Sequence, residues 1–70
     1  MIVLERELRS RRWTFAELAR RSGLNQVTVG QIVSRRFRPY PSQLAKIATA
    51  LDWPLKDAGA LLEEVTVDGE

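Results

Sequence analysis

Gln26 and Gln31, with Val27 beside the first of them, are the side chains best suited to meet a ligand that presents hydrogen-bonding edges. A carboxamide carries a donor and an acceptor together and can pair bidentately with the N6/N7 edge of adenine, while a valine can press on a thymine methyl. Asn25 and Thr28 stand at a helix start, where side-chain donors and free backbone amides favour an anion such as phosphate, and Thr14 opens another helix in the same way. Arg35, Arg36 and Arg38 follow in a loop, where the planar guanidinium fork can neutralise phosphates; Arg38, next to Pro39, is also suited to a minor groove. Each residue type also has a blander use on a solvated face, so the combination carries the reading. Other chemistry is poorly supplied. The chain has no His and no Cys, hence no imidazole base, no thiolate, no ordinary zinc site and no disulfide. Ser, Lys and carboxylates are present, but no motif sets one as a base beside a nucleophile, so no enzyme, catalytic residue, metal or cofactor is expected.

Size and charge agree with a binder. Seventy residues allow one small domain, and a chain of this length buries only about 60% of its unfolded surface, so nearly all apolar side chains are committed to packing. The net charge of +2 conceals a division: residues 1–46 hold ten cations against three anions, net +7, and residues 47–70 hold one against six, net −5. A basic first part fits a polyanion, and an acidic second part fits a different partner or a face kept off the polyanion. Nine of the eleven cations are Arg. No apolar run approaches the roughly 20 residues of a membrane span, and no basic leader precedes an apolar stretch, so a cytoplasmic protein without a signal peptide is the expectation.

Those side chains need short helices to hold them, and five are predicted. The first covers about residues 2–12, with Leu4 and Leu8 on one face. Thr14-Phe15-Ala16-Glu17 reads as a capping box opening the second, with Trp13 and Leu18 as its hydrophobic staple, and Gly23 ends it in a left-handed turn. Asn25 caps the third, about 26–34, whose inner stripe is Val29, Ile32 and Val33. Residues 35–41 form a loop, Ser42 is expected to cap the fourth helix, and Leu44, Ile47, Ala48 and Leu51 supply its core face. Pro54 opens a fifth helix, buried through Leu55, Ala58, Leu61 and Leu62. Trp13, Phe15 and Trp53 are expected to be mostly core, and Phe37 and Tyr40 to pack within the loop. Gly30, unusual inside a helix, would either let a helix or DNA backbone approach closely or be a neutral surface choice. Residues 1–62 thus make the folded domain, and residues 63–70 an acidic tail that is frayed or part of a dimer contact.

The second and third helices, joined through Gly23 with Ala19 at their crossing, have the form of a helix-turn-helix. Thr14-Phe15-Ala16-Glu17-Leu18-Ala19-Arg20-Arg21-Ser22-Gly23-Leu24-Asn25, followed by Val29 and Ile32 and by the stretch Arg38 to Leu51, resembles the phage repressor and Cro-like regulators of the xenobiotic-response-element type. The resemblance covers about residues 4–62. It implies a compact five-helix, lambda-repressor-like, all-α domain that binds operator DNA, with Gln26, Val27 and Gln31 facing base edges and Arg36 and Arg38 following the backbone. The chain departs from the family at Phe15, where a phosphate-touching Gln is common, and at Ser34-Arg35-Arg36, where a Gly usually follows the recognition helix.

One recognition helix reads few base pairs, so a homodimer on a pseudo-palindromic operator, with half-sites roughly 34 Å apart, is expected. The fifth helix and the segment Glu63-Glu64-Val65-Thr66-Val67, whose Val-Thr-Val alternation could pair as an edge strand, are its predicted surface. With no residues left for a ligand domain, a compact transcriptional repressor is the leading function. An antitoxin or adaptor that uses its acidic second half to bind a protein partner is the alternative.

Overall fold

The computed structural model describes residues 1–65. Four α-helices follow in order, α1 (Val3–Arg11), α2 (Phe15–Ser22), α3 (Gln26–Val33) and α4 (Pro41–Ala50), and a 3₁₀ helix (Leu55–Leu62) completes the order of elements. Among the described residues there is no β-sheet, only one antiparallel bridge between Ile2 and Glu64. Helices this short do not stand alone in water, so tertiary burial has to hold them. Ile2, Leu4 and Leu8 from the first segment, Leu18 from α2, Val29 and Ile32 from α3, Ile47 and Leu51 from α4, and Leu61 converge on one core, and no polar or charged side chain among the described residues is buried in it.

Local signals set most helix ends. The Thr14 hydroxyl accepts from the Glu17 amide at 3.1 Å, and Asn25 Oδ1 accepts from the Val27 amide at 2.7 Å. The reciprocal half of the expected capping box is not formed: the Glu17 carboxylate turns to Arg20 and Arg21, two charged donors one helical turn away. Gly23 ends α2 at φ +79, and its amide donates to the Ala19 carbonyl at 2.9 Å. Arg12 performs the same task after α1 at φ +59, although it carries a Cβ.

Two expected starts are displaced. Tyr40, extended at ψ 156, caps α4 in place of Ser42; Pro41 occupies the first helical position, where its missing N–H is not needed. Gln43 Oε1 accepts the Tyr40 amide at 2.9 Å. The fifth helix is 3₁₀, with Pro54 before its first residue. Leu55, Ala58 and Leu61 recur every third residue, and three residues per turn stacks them in one row. Ala58 and Leu61 are buried, but Leu55 at the head of the row is 61% exposed, against the expectation of burial. Trp53 Nε1 donates to the Asp57 carbonyl at 3.0 Å and clasps the start of this turn.

Packing runs α2 on α3, α2 on α4, α4 on the 3₁₀ helix and the 3₁₀ helix on α1. Arg11 adds a bond from α1 to the end of α4 through the Leu51 carbonyl, 3.0 Å. The chain then returns to its beginning: the Val3 amide donates to Glu63 O at 2.8 Å, and the Val65 amide to Met1 O at 2.9 Å. Residues 63–65 therefore pair with residues 1–3 of their own chain. The rest of the segment expected to pair in a dimer, Thr66 and Val67, lies outside the described residues. No helix among those described is long and apolar enough to cross a membrane.

Candidate nucleic-acid interface

Ala19 is buried where α2 packs on α3, Gly23 supplies the left-handed turn between them, and α3 is oriented by its buried stripe of Val29, Ile32 and Val33. Helical geometry then dictates what faces out. Val27 and Gln31 are exposed on the side of α3 away from that stripe, Gln26 is exposed as the first residue of the helix although it lies in line with Val29 and Val33, and Thr28 is half-buried at the margin. Val27 is 66% exposed, a large apolar side chain left in water by the fold.

α2 contributes to the same side. An ideal Cβ built on Gly30 would stand 3.5 Å from Phe15 Cδ2 and 3.7 Å from its Cε2, so the Phe15 ring lies against the half-buried flank of α3 at Gly30. Phe15 belongs by spacing to the stripe of Leu18 and Ala19, yet at the end of α2 it projects beyond the core and is 40% exposed. It was expected to be core; its position over Gly30 is what spacing alone could not reveal. Thr14, immediately before it, is exposed. Thr14 and Asn25 both spend an oxygen on their helix caps, which leaves the Thr14 hydroxyl proton and the Asn25 amide protons for another acceptor.

The loop after α3 folds back on that helix. Arg35 takes the left-handed conformation, φ +67, that a glycine would adopt more readily, and the amides of Arg36 and Phe37 donate to Gln31 O at 2.9 and 3.3 Å. Phe37 packs on the core and meets Tyr40 edge to face, centroids 5.8 Å apart. Pro39 is buried between the exposed Arg38 and Tyr40.

The positive charge of residues 1–46 is distributed by pairing. Arg9 binds Glu5, Arg6 and Arg11 bind Glu7, and Arg20 and Arg21 share Glu17. The Arg21 hydrogen bond, helped by Arg20, holds the Glu17 carboxyl below its ordinary range against the opposing effect of desolvation. Trp13 lies between Arg21, 4.4 Å from its ring centroid, and Arg11 at 5.7 Å, cation–π contacts that anchor these arginines on the side chain expected to staple the helix. Arg35 pairs with Glu64 in the tail, which also lies 3.5 Å from the Met1 ammonium. Arg36 and Arg38 form no ion pair among the described residues and stand exposed beside α3. Of the three loop arginines, these two are unoccupied within the described residues, whereas Arg35 is held by a carboxylate.

Two short helices, a left-handed glycine turn and a polar outer face on the second helix define a helix-turn-helix DNA-binding domain. The chain belongs to the Cro/C1-type HTH DNA-binding domain family, which matches residues 3–58. No curated protein and no solved structure matches the chain.

Proposed function

We propose that this protein is a sequence-specific regulator of transcription, a compact repressor that binds a pseudo-palindromic operator as a homodimer with α3 in the major groove. The observation that carries the reading is the exposed set Gln26, Val27 and Gln31 on the second helix of the motif, a helix held in place by the buried Val29, Ile32 and Val33. Gln26 and Gln31 read adenine edges, and Val27 meets a thymine methyl. Thr14, Asn25, Thr28, Arg36 and Arg38 contact the phosphodiester backbone, and Arg35 joins them by exchanging Glu64 for a phosphate. Residues 1–62 are the DNA-binding unit, and the acidic residues 63–70 stay off the duplex. The second copy docks through the 3₁₀ helix, where Leu55 is exposed, and the adjoining tail. Occupying a groove across a promoter excludes polymerase, so repression follows from binding alone; the protein works in the cytoplasm, on DNA, without a cofactor and not as an enzyme.

Selection from random duplexes tests this directly and reports half-site symmetry as well. One symmetric sequence should be enriched. Arg36→Ala and Arg38→Ala should weaken every duplex alike and each lower the slope of log K against log salt by about 1, while Gln26→Ala should erase roughly 1–3 kcal/mol of preference at one or two base pairs. Enrichment of no sequence would refute base reading and favour the antitoxin or adaptor role, with the acidic residues 47–70 as the protein-binding surface.

A further inference from the structure

Phe15 has no structural reason to be as exposed as it is. A phenyl ring that fills a core is valuable, but one laid against the flank of a helix gains only part of that burial. The ring rests on Gly30, three residues from Val27 and four from Gln26, so it lies beside those two exposed side chains. Among the described residues four large apolar side chains are exposed, and two of them, Phe15 and Val27, are neighbours here. Neither can donate or accept a hydrogen bond. What they offer is a water-excluding surface between polar readers, complementary to a methyl group projecting from a base.

We infer that Phe15 and Val27 form an apolar subsite for the 5-methyl group of a pyrimidine, with Phe15 a base-specifying residue supplied by α2. The inference rests on the reading of α3 as the major-groove helix. In the major groove thymine shows a methyl where cytosine and uracil show a hydrogen, and 5-methylcytosine shows the same methyl beside a different edge. The ring is held beside α3 by its contact with Gly30, and Phe15 follows the helix cap at Thr14, so its backbone is fixed.

The test uses the full chain and the operator obtained by selection. Each thymine is replaced in turn by deoxyuridine, and each cytosine by 5-methylcytosine, and the Kd is measured for the chain and for Phe15→Gln. Burial of one methyl is worth about 0.8 kcal/mol, or about fourfold in Kd. If the group belongs to thymine, deoxyuridine at one position per half-site weakens binding about fourfold; if it belongs to 5-methylcytosine, methylation at one position strengthens binding about fourfold. Either response should shrink to less than about 1.5-fold in Phe15→Gln. An operator indifferent to every methyl added or removed overturns the subsite on the unmutated chain alone, with no dependence on how a variant folds. A response undiminished in Phe15→Gln overturns the role of Phe15. Such results leave the DNA-binding reading intact, whereas failure of selection to yield any operator removes both.

Discussion

Replacing Gly30 by Ala should make the domain more stable, and the size of the gain follows from what surrounds the position. Gly30 lies inside α3, between the Asn25 cap and Ser34, where a glycine costs about 0.8–1 kcal/mol relative to alanine through backbone entropy. The only side chain near the new methyl is Phe15, at 3.5 Å, which is ordinary van der Waals contact, and the ring is free to yield outward. No steric penalty therefore offsets the propensity gain. A stabilisation of roughly 1 kcal/mol corresponds to a rise of about 4–8 °C in Tm for a domain of this size. Urea unfolding followed by far-ultraviolet circular dichroism, and separately by the fluorescence of Trp13 and Trp53, should show the midpoint raised and the slope unchanged. A variant less stable than the parent would show that the ring and helix need the missing methyl's space, and the account of Phe15 resting without strain on α3 would be wrong. If stability rises but operator affinity collapses, the glycine serves close approach of DNA.

Other perturbations address single features. Arg35→Gly should be more stable than Arg35→Ala by about 0.5–1 kcal/mol, because both lose the Glu64 pair and only glycine relaxes at φ +67; equal melting of the two would refute backbone strain there. Asn25→Ala should cost about 1 kcal/mol through the lost cap of α3, read from chemical denaturation. Glu17 has a folded-state pKa held below the ordinary value of 4.5, so its contribution to stability is present above that pH and is lost as pH falls through the folded value. Melting temperature against pH should accordingly fall less steeply on the acid side for Glu17→Gln than for the parent, and identical acid limbs would exclude the pair with Arg21 as a source of acid sensitivity.

The helix-turn-helix was legible because its signals are local demands of the backbone. Thr14 and Asn25 cap where a hydroxyl and a carboxamide can reach amides two or three residues on, and Gly23 turns where the left-handed conformation is needed. Where two local solutions compete, spacing did not decide between them. Ser42 is a good cap, but Pro41 at the first helical turn and Gln43 reaching back to Tyr40 start α4 two residues earlier. The row Leu55, Ala58, Leu61 fits either an α-helix or a 3₁₀ helix, and tertiary packing selected the tighter one. Side chains whose surroundings come from elsewhere in the chain were the least readable. Phe15 lies on an apolar stripe yet overhangs onto Gly30, and Arg35 meets a carboxylate 29 residues away. The charge division does not show that Glu5, Glu7 and Glu17 hold five of the arginines and leave Arg12, Arg36 and Arg38 without an ion pair among the described residues.

The meeting of residues 1–3 with residues 63–65 has a consequence for the order in which the molecule is made. α2, α3 and α4 find one another across short stretches of chain, so the helix-turn-helix part can begin to assemble while synthesis continues. α1 cannot: it packs on the 3₁₀ helix, and the Val3 amide donates to the Glu63 carbonyl. Bringing Leu4 to Leu61 closes a loop about five times longer than bringing Leu18 to Val29, which costs roughly 1.4 kcal/mol more in chain entropy. α1, although synthesised before α2, α3 and α4, is thus the last of them to dock, and a nascent chain stalled before Leu61 would display Ile2, Leu4 and Leu8 to chaperones and proteases beside an α2–α3 pair already formed.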